Sequence, residues 1–207
     1  IGATHTWSAI YRFEPNGQKP IVKELSVSYN STLGGNSIDE LFADYLGQKF
    51  LDQNNIPDKF KSQILKDKRI LLIQESCRAK EILSLNDIVN ITIDDIYQNY
   101  SLNINVTRKD FEKIISSFTD SLKIIYNETL TKGNIQGSTI DNIELLGGCT
   151  RIPIVQNTLK KLSGLKKLNR TMNSDEAMAL GATYVGASGS GAFIVAKRGR
   201  VKENVFI

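Results

Sequence analysis

The apolar positions change period several times along the chain, and each change marks an expected element. Residues 7–13 read as a strand running into a turn at Pro15-Asn16-Gly17, and residues 21–27 read as its hairpin partner. From Gly34-Gly35 the period lengthens to that of a helix over about 37–50, with Ile38, Leu41, Phe42 and Tyr45 along one side. Pro57 breaks the chain, and one long helical pattern follows over about 58–83. Two alternating segments come next, one with Ile91 and Ile93 facing one way, the other with Leu102, Ile104 and Val106. Thr107-Arg108-Lys109-Asp110 has the form of a capping box with Asp in place of Glu, and the helix behind it carries Phe111, Ile114, Ile115, Phe118, Leu122 and Ile125 on one stripe.

Residues 142–146 read as a short buried strand, and Pro153 suits the first turn of the next helix. Asn173-Ser174-Asp175-Glu176 is the expected cap of a last helix whose small residues Ala177, Ala179, Gly181 and Ala182 permit close packing. The succession implies an α/β core made from the two ends of the chain, 1–35 and 131–187. Residues 36–130 form an inserted α+β subdomain of helices and a small sheet. The Ser/Gly-rich run and the basic Lys197-Arg198-Gly199-Arg200 make 188–207 a linker or tail.

With 207 residues, 41% of them hydrophobic and 23% charged, the chain can bury a real core. No apolar run approaches the roughly 18 residues of a membrane span, so no membrane partner is expected. The first residues carry no signal-peptide pattern, which places any targeting segment outside this sequence. Net charge is +4, but Lys66-Asp67-Lys68-Arg69 and Lys160-Lys161 lie along helical stretches without interleaved aromatics. That is a solvated helical face, and no nucleic-acid partner is expected. Two cysteines, Cys77 and Cys149, and one histidine, His5, exclude a Cys/His zinc cluster, and no metal ligands are assigned. A Cys–His pair has no third orienting group, so no residue is read as catalytic.

Three glycine-bearing turns remain. Residues 143–153 run strand, Gly147-Gly148, helix, an arrangement that brings bare backbone and free helix N–H groups close to a flat or anionic ligand. Ile1-Gly2-Ala3-Thr4-His5-Thr6 is a second small-residue turn whose N–H groups and hydroxyls could receive phosphate oxygens. Leu33-Gly34-Gly35 is a third, opening a helix. Each alone is equally well a plain reversal of chain direction; together they point to a nucleotide.

The same residues carry a family resemblance. Leu145-Leu146-Gly147-Gly148-Cys149-Thr150-Arg151-Ile152-Pro153 resembles the adenosine motif of the DnaK-like heat-shock chaperones. Residues 173–182, 31–39 and 1–6 resemble the segment after it, the family's Leu-Gly-Gly turn and its second phosphate motif, in family order and over nearly the whole chain to about 187. The resemblance implies an actin-like (ribonuclease H-like) ATPase lobe, the second of two. ATP or ADP would be its cofactor, with magnesium in the full two-lobe domain. Gly147, Gly148 and Arg151 would then lie against adenosine with Asp175 close by. Lys80 and Ser84 would clamp base and ribose, Gly34 and Gly35 would lie near ribose and phosphates, and Gly2, Ala3 and Thr4 near the phosphate tail.

Three departures qualify this. Ala3-Thr4 stands where the family has consecutive glycines. Cys77 replaces a glutamate facing the ribose, and Glu81 replaces the cation that stacks on adenine, so affinity or pose should differ. Asn-X-Ser/Thr occurs at Asn30, Asn90, Asn99, Asn105, Asn127 and Asn169, where chance gives about two. With the segment 75–84, these glycosylation sequons resemble the large lumenal, glucose-regulated branch of the endoplasmic reticulum. The expected function is the ATP-binding lobe of a lumenal chaperone, whose unfolded clients would bind through regions outside this chain. The alternatives are a nucleotide exchange factor gripping another lumenal chaperone, and an actin-fold small-molecule kinase, for which no substrate acid or base is signalled.

Overall fold

A computed structural model of the chain describes residues 1–15 and 21–190. The Asn16-Gly17 part of the expected turn, and the expected tail beyond residue 190, lie outside the described residues.

Strands β1 (Thr6–Glu14) and β2 (Ile21–Asn30) pair antiparallel from Thr6↔Asn30 to Glu14↔Ile21, with a bulge after Ile10. The aromatics of this hairpin turn outward: Trp7, Tyr11, Phe13 and Tyr29 are each about half exposed or more. Its buried face is small and polar, made of Thr6, Ser26 and Ser28. Small hydroxyl residues let a helix lie close, and Ser26 donates to the Thr129 carbonyl at 2.8 Å. That helix, α5, is described below.

Helix α1 (Gly35–Gln53) buries Ile38, Phe42, Leu46 and Phe50, four residues apart, on one stripe. Leu41 and Tyr45, expected on that stripe, are only half-buried at its margin. The single long helix expected over 58–83 is two: α2 (Asp58–Asp67) and α3 (Arg69–Leu85). Lys68 at the break leaves helical geometry with ψ 6°, its N–H still bonded to Ile64. The break lets Leu65 from α2 and Leu72 from α3 converge on Gly47 of α1, where an added Cβ would meet them at 2.8 and 3.4 Å. Helix α3 buries Leu72, Ser76, Ala79 and Leu83 against α1.

Strands β3 (Ile88–Tyr97) and β4 (Tyr100–Thr107) form a second antiparallel pair. Val89, Ile91, Ile93, Leu102 and Val106 face the core, while Ile104 is half-buried rather than in line with them. Thr107 caps the next helix as expected, accepting from the Asp110 N–H at 3.2 Å. The one stripe read behind it belongs to two helices, α4 (Arg108–Ile114) and α5 (Ser116–Gly133), with a turn at Ile115. The stripe survives because Ile115 itself stays buried beside Phe111, Phe118, Leu122 and Ile125.

The strand expected at 142–146 is reduced to one parallel bridge, Glu144 to Asn169, and joins neither sheet. Leu145 is buried as read. A short 3-10 turn at Gly148–Arg151 leads into α6 (Pro153–Ser163), with Pro153 in its first turn and Gly164 at φ 73° closing it. The last helix, α7 (Ala177–Gly189), runs into the stretch read as tail. Its small face is not packed: Ala179, Gly181 and Ala182 are exposed, as are Met178 and Leu180. One apolar cluster runs from Leu33 through α1, α3, the β3–β4 pair, α4 and α5 to Leu145, Val155 and Leu159.

Candidate functional site

The three glycine turns meet, although more than a hundred residues separate the first two from the third. The Gly35 N–H donates to the Gly2 carbonyl at 2.9 Å and the Asn36 N–H to that of Ala3 at 2.7 Å. The Ile1 nitrogen donates to the Leu146 carbonyl at 2.7 Å, and the Cys149 thiol to the Gly2 carbonyl at 3.3 Å. These bonds explain most of the glycines without any ligand. A Cβ on Gly34 would stand 2.5 Å from the Ala3 oxygen and the Thr4 carbonyl carbon. At Gly147, φ is 94°, a conformation L side chains rarely adopt, and a Cβ would meet the Ile1 oxygen at 2.3 Å. Gly148 differs, for a Cβ there would meet nothing within 4 Å. Its side is open, and the fold does not require it to be bare. Gly2 is nearly as free, with only the His5 oxygen at 3.8 Å.

Above this junction lies α3. Cys77, Lys80 and Ser84 occupy i, i+3 and i+7 and so share one strip of the helix, all three half-buried, beside the buried stripe of Ser76, Ala79 and Leu83. The Lys80 ammonium reaches across to α1, 2.7 Å from the Asp39 carboxylate and 3.4 Å from the Gly35 carbonyl. Ser84 donates to the Lys80 carbonyl at 2.8 Å. Asp39 is 4% exposed, and its second oxygen Oδ1 is buried with no hydrogen-bond partner. Burial pushes its carboxyl above the usual carboxylate range, against the pull of the Lys80 hydrogen bond and charge. Asp39 ends the segment 31–39 that resembles the family's Leu-Gly-Gly turn, but is not among the residues expected at the site. A carboxylate one turn into a helix opened by two glycines was the available signal.

Burial also pushes both thiols up, Cys77 and Cys149 alike, while Lys80 pulls each back. Arg151 and Asp175, on the far side of the Gly147–Gly148 turn, form a long exposed ion pair at 3.9 Å. Thr4 is exposed, its hydroxyl 2.8 Å from the His5 ring. Gly2, Ala3, Gly34, Gly35, Lys80, Gly147 and Gly148 are thus gathered into one cradle, with Ser84 along its roof. Arg151 and Asp175 stand at its rim.

An adenine nucleotide fits these residues. An open glycine face adjoins a helix-bound ammonium, the Ser84 hydroxyl on the same helix strip and a buried carboxylate oxygen without a hydrogen-bond partner. Among the described residues, no group of three His, Cys, Asp or Glu side chains is arranged to hold a metal ion, and no helix is long and apolar enough to cross a membrane.

Comparison with known proteins agrees in direction. A family model described as Hsp70 protein matches residues 15–198. Hypoxia up-regulated protein 1 of Xenopus laevis is 31% identical over 182 residues, covering 87% of this chain and 28% of the relative. Heat shock cognate 70 kDa protein 3 of Dictyostelium discoideum is 30% identical, covering 90% of this chain and 28% of its own length. The heat shock protein 70 homolog lhs1 of Schizosaccharomyces pombe is 28% identical over 81% of this chain and 19% of its own. The chain spans less than a third of each relative.

Proposed function

Since the chain belongs to the Hsp70 family, whose nucleotide-binding domain has an actin-like ATPase fold, we propose that it is the second lobe of that domain and holds the adenosine side of ATP or ADP. Residues 1–35 and 131–187 are its α/β core and 36–130 the inserted subdomain. The observation that carries the reading is the open face of Gly148. Its bareness has no packing reason, and it lies at the junction where Lys80 and the other two turns converge.

In this reading Gly147 and Gly148 offer flat backbone to the adenosine, and Arg151 closes its rim opposite Asp175. Lys80 releases Asp39 or shares it with the ligand, and Ser84 turns its hydroxyl from the Lys80 carbonyl. Gly34, Gly35 and Gly2–Thr4 approach the ribose and phosphates. The nucleotide supplies a phosphoanhydride bond whose cleavage, in the two-lobe domain with magnesium, shifts the lobes. The whole protein would be a chaperone acting on unfolded clients in the lumen of the endoplasmic reticulum. The six sequons support that place: Asn90, Asn99, Asn105 and Asn127 are exposed.

Isothermal titration of ADP into the two-lobe protein tests the site. Arg151→Ala and Ser84→Ala should each weaken binding about tenfold, near 1.4 kcal/mol. Unchanged affinity in both variants would remove the adenosine assignment.

One observation favours a second reading. The Glu81 carboxylate acts on both Asp39 and Cys77, adding negative charge where a stacking cation is expected. A cradle so altered suits an exchange factor in which nucleotide fixes the lobe's shape for gripping another lumenal chaperone. Absence of turnover in the two-lobe protein with retained ADP binding would select it.

A further inference from the structure

Nucleotide binding gives neither of the chain's two cysteines a task, yet both sit at the cradle as free thiols. Cys149 is 7% exposed and held by the Gly2 carbonyl. Its Sγ lies 2.9 Å from where a Gly35 Cβ would stand, and the Lys80 ammonium lies 3.4 Å from that same point. Cys77, one helical turn before Lys80 on the strip that faces the cradle, is half-buried and acts on the Asp39 carboxylate that Lys80 binds. One ion pair therefore lies beside both sulfurs, which come from separate elements 72 positions apart in the sequence. The absence of a third suitable ligand among the described residues leaves thiol chemistry rather than metal binding.

We propose that Cys77 and Cys149 form a paired thiol site, closed to a disulfide by exchange with a low-molecular-weight disulfide such as oxidised glutathione, which ties α3 to the Gly147–Arg151 turn across the cradle. Cys77 is the accessible member and reacts first. Its thiolate attacks one glutathione sulfur, the glutathione S–S bond breaks, and the departing thiolate takes up the proton that Cys77 gave to solvent. The Cys149 thiolate then attacks the Cys77 sulfur, expelling the second glutathione, which takes up the Cys149 proton. Two protein thiols are oxidised and one glutathione disulfide is reduced to two thiols. The Lys80 ammonium stabilises each thiolate in turn.

A bridge requires the two Cα atoms within about 7 Å, so the bridged form is one in which roof and floor have closed. If the adenosine reading holds, on which this consequence alone rests, a base lying between them and the disulfide exclude one another. Bridging then slows by the factor by which free nucleotide exceeds its Kd.

The test is peptide mapping by mass spectrometry after incubating the native chain with oxidised glutathione and alkylating the remaining thiols. The expected product is a peptide pair cross-linked between Cys77 and Cys149. In Cys149→Ser the cross-link is lost and one glutathione stays on Cys77; in Cys77→Ser, Cys149 is recovered alkylated after denaturation. Wild-type protein that keeps glutathione on Cys77 with Cys149 free, or that leaves both thiols unreacted, overturns the proposal. Repeating the incubation on the two-lobe protein at saturating ADP separates it from the nucleotide reading. Protection supports both, whereas equally fast bridging upholds the thiol pair and sinks the adenosine site.

Discussion

Gly147 and Gly148 are neighbours in one motif and have opposite reasons to be glycine. Alanine at 147 has to hold φ near 94° and place a Cβ 2.3 Å from the Ile1 oxygen, a strain of about 1–3 kcal/mol or more. Alanine at 148 meets nothing. Gly147→Ala should therefore lower the urea midpoint, while Gly148→Ala leaves it in place and weakens ADP binding by the two-lobe protein. Equal stability losses in the two variants would mean that Gly148 too is a packing residue. At the same scale, Asp39 is a carboxyl that burial raises despite Lys80. A raised folded pKa contributes stability that is full below the unfolded value and lost as pH climbs through the folded one. Lys80→Met removes the main force holding that pKa down and raises it further. The stability deficit of Lys80→Met should thus be small where Asp39 is protonated in both proteins, through the ordinary carboxylate range, and grow above it as pH passes the raised folded pKa of the wild type. Urea midpoints of both proteins between acid and neutral pH measure this, and a deficit independent of pH would show that Asp39 and Lys80 are uncoupled.

The elements show where local pattern was enough. The Thr107–Asp110 cap needed only four residues to be recognised; the Thr107 hydroxyl accepts from the Asp110 N–H and donates to the Asp110 carboxylate at 2.6 Å. Thr107→Ala should lower stability by about 1 kcal/mol in unglycosylated protein, and Thr107→Ser should restore most of it. The same hydroxyl completes the Asn105 sequon, so alanine also abolishes any glycan there; a thermal or urea melt of bacterially made protein isolates the cap. The two alternating segments that form β3 and β4 were legible, with Ile91 and Ile93 on the buried face of one and Leu102 and Val106 on that of the other; their pairing as a hairpin, and the half-buried place of Ile104, were not. The helix breaks at Lys68 and Ile115 were not. Neither position holds Pro or Gly, and the apolar period continues through both; the break at Lys68 lets Leu65 and Leu72 converge on Gly47, and the turn at Ile115 keeps Ile115 itself buried in the stripe. The aromatic side of β1–β2 misleads in the other direction, because the face buried under α5 is made of Thr6, Ser26 and Ser28, which periodicity counts as polar.

For the whole molecule, the second-lobe reading implies that this chain alone binds nucleotide weakly and does not hydrolyse it. Phosphoryl transfer relies on positioned metal and charge around the phosphates, and in that reading this lobe supplies the adenosine contacts and only part of the phosphate cradle. Purified 207-residue chain should release no phosphate above a boiled control; release at the rate of the two-lobe protein would reopen the kinase alternative. The sequence by itself determined the first hairpin, the two alternating segments of the second pair, most helix starts, the identity of the three glycine turns and, through their order, the family. Those features are local: caps, alternation and turn chemistry act over a few residues, and motifs keep their spacing. Only the tertiary structure decided that Gly34 and Gly147 are bare for packing and Gly148 is not. It alone set the Asp39–Lys80 pair between α1 and α3, whereas the family resemblance already placed Cys77 and Cys149 together against the nucleoside. Those facts depend on contacts across 31 positions (Gly34 on Ala3), 41 (Lys80 on Asp39) and 146 (Gly147 on Ile1), whose geometry no periodicity encodes, because it is settled only when every buried stripe has found a partner.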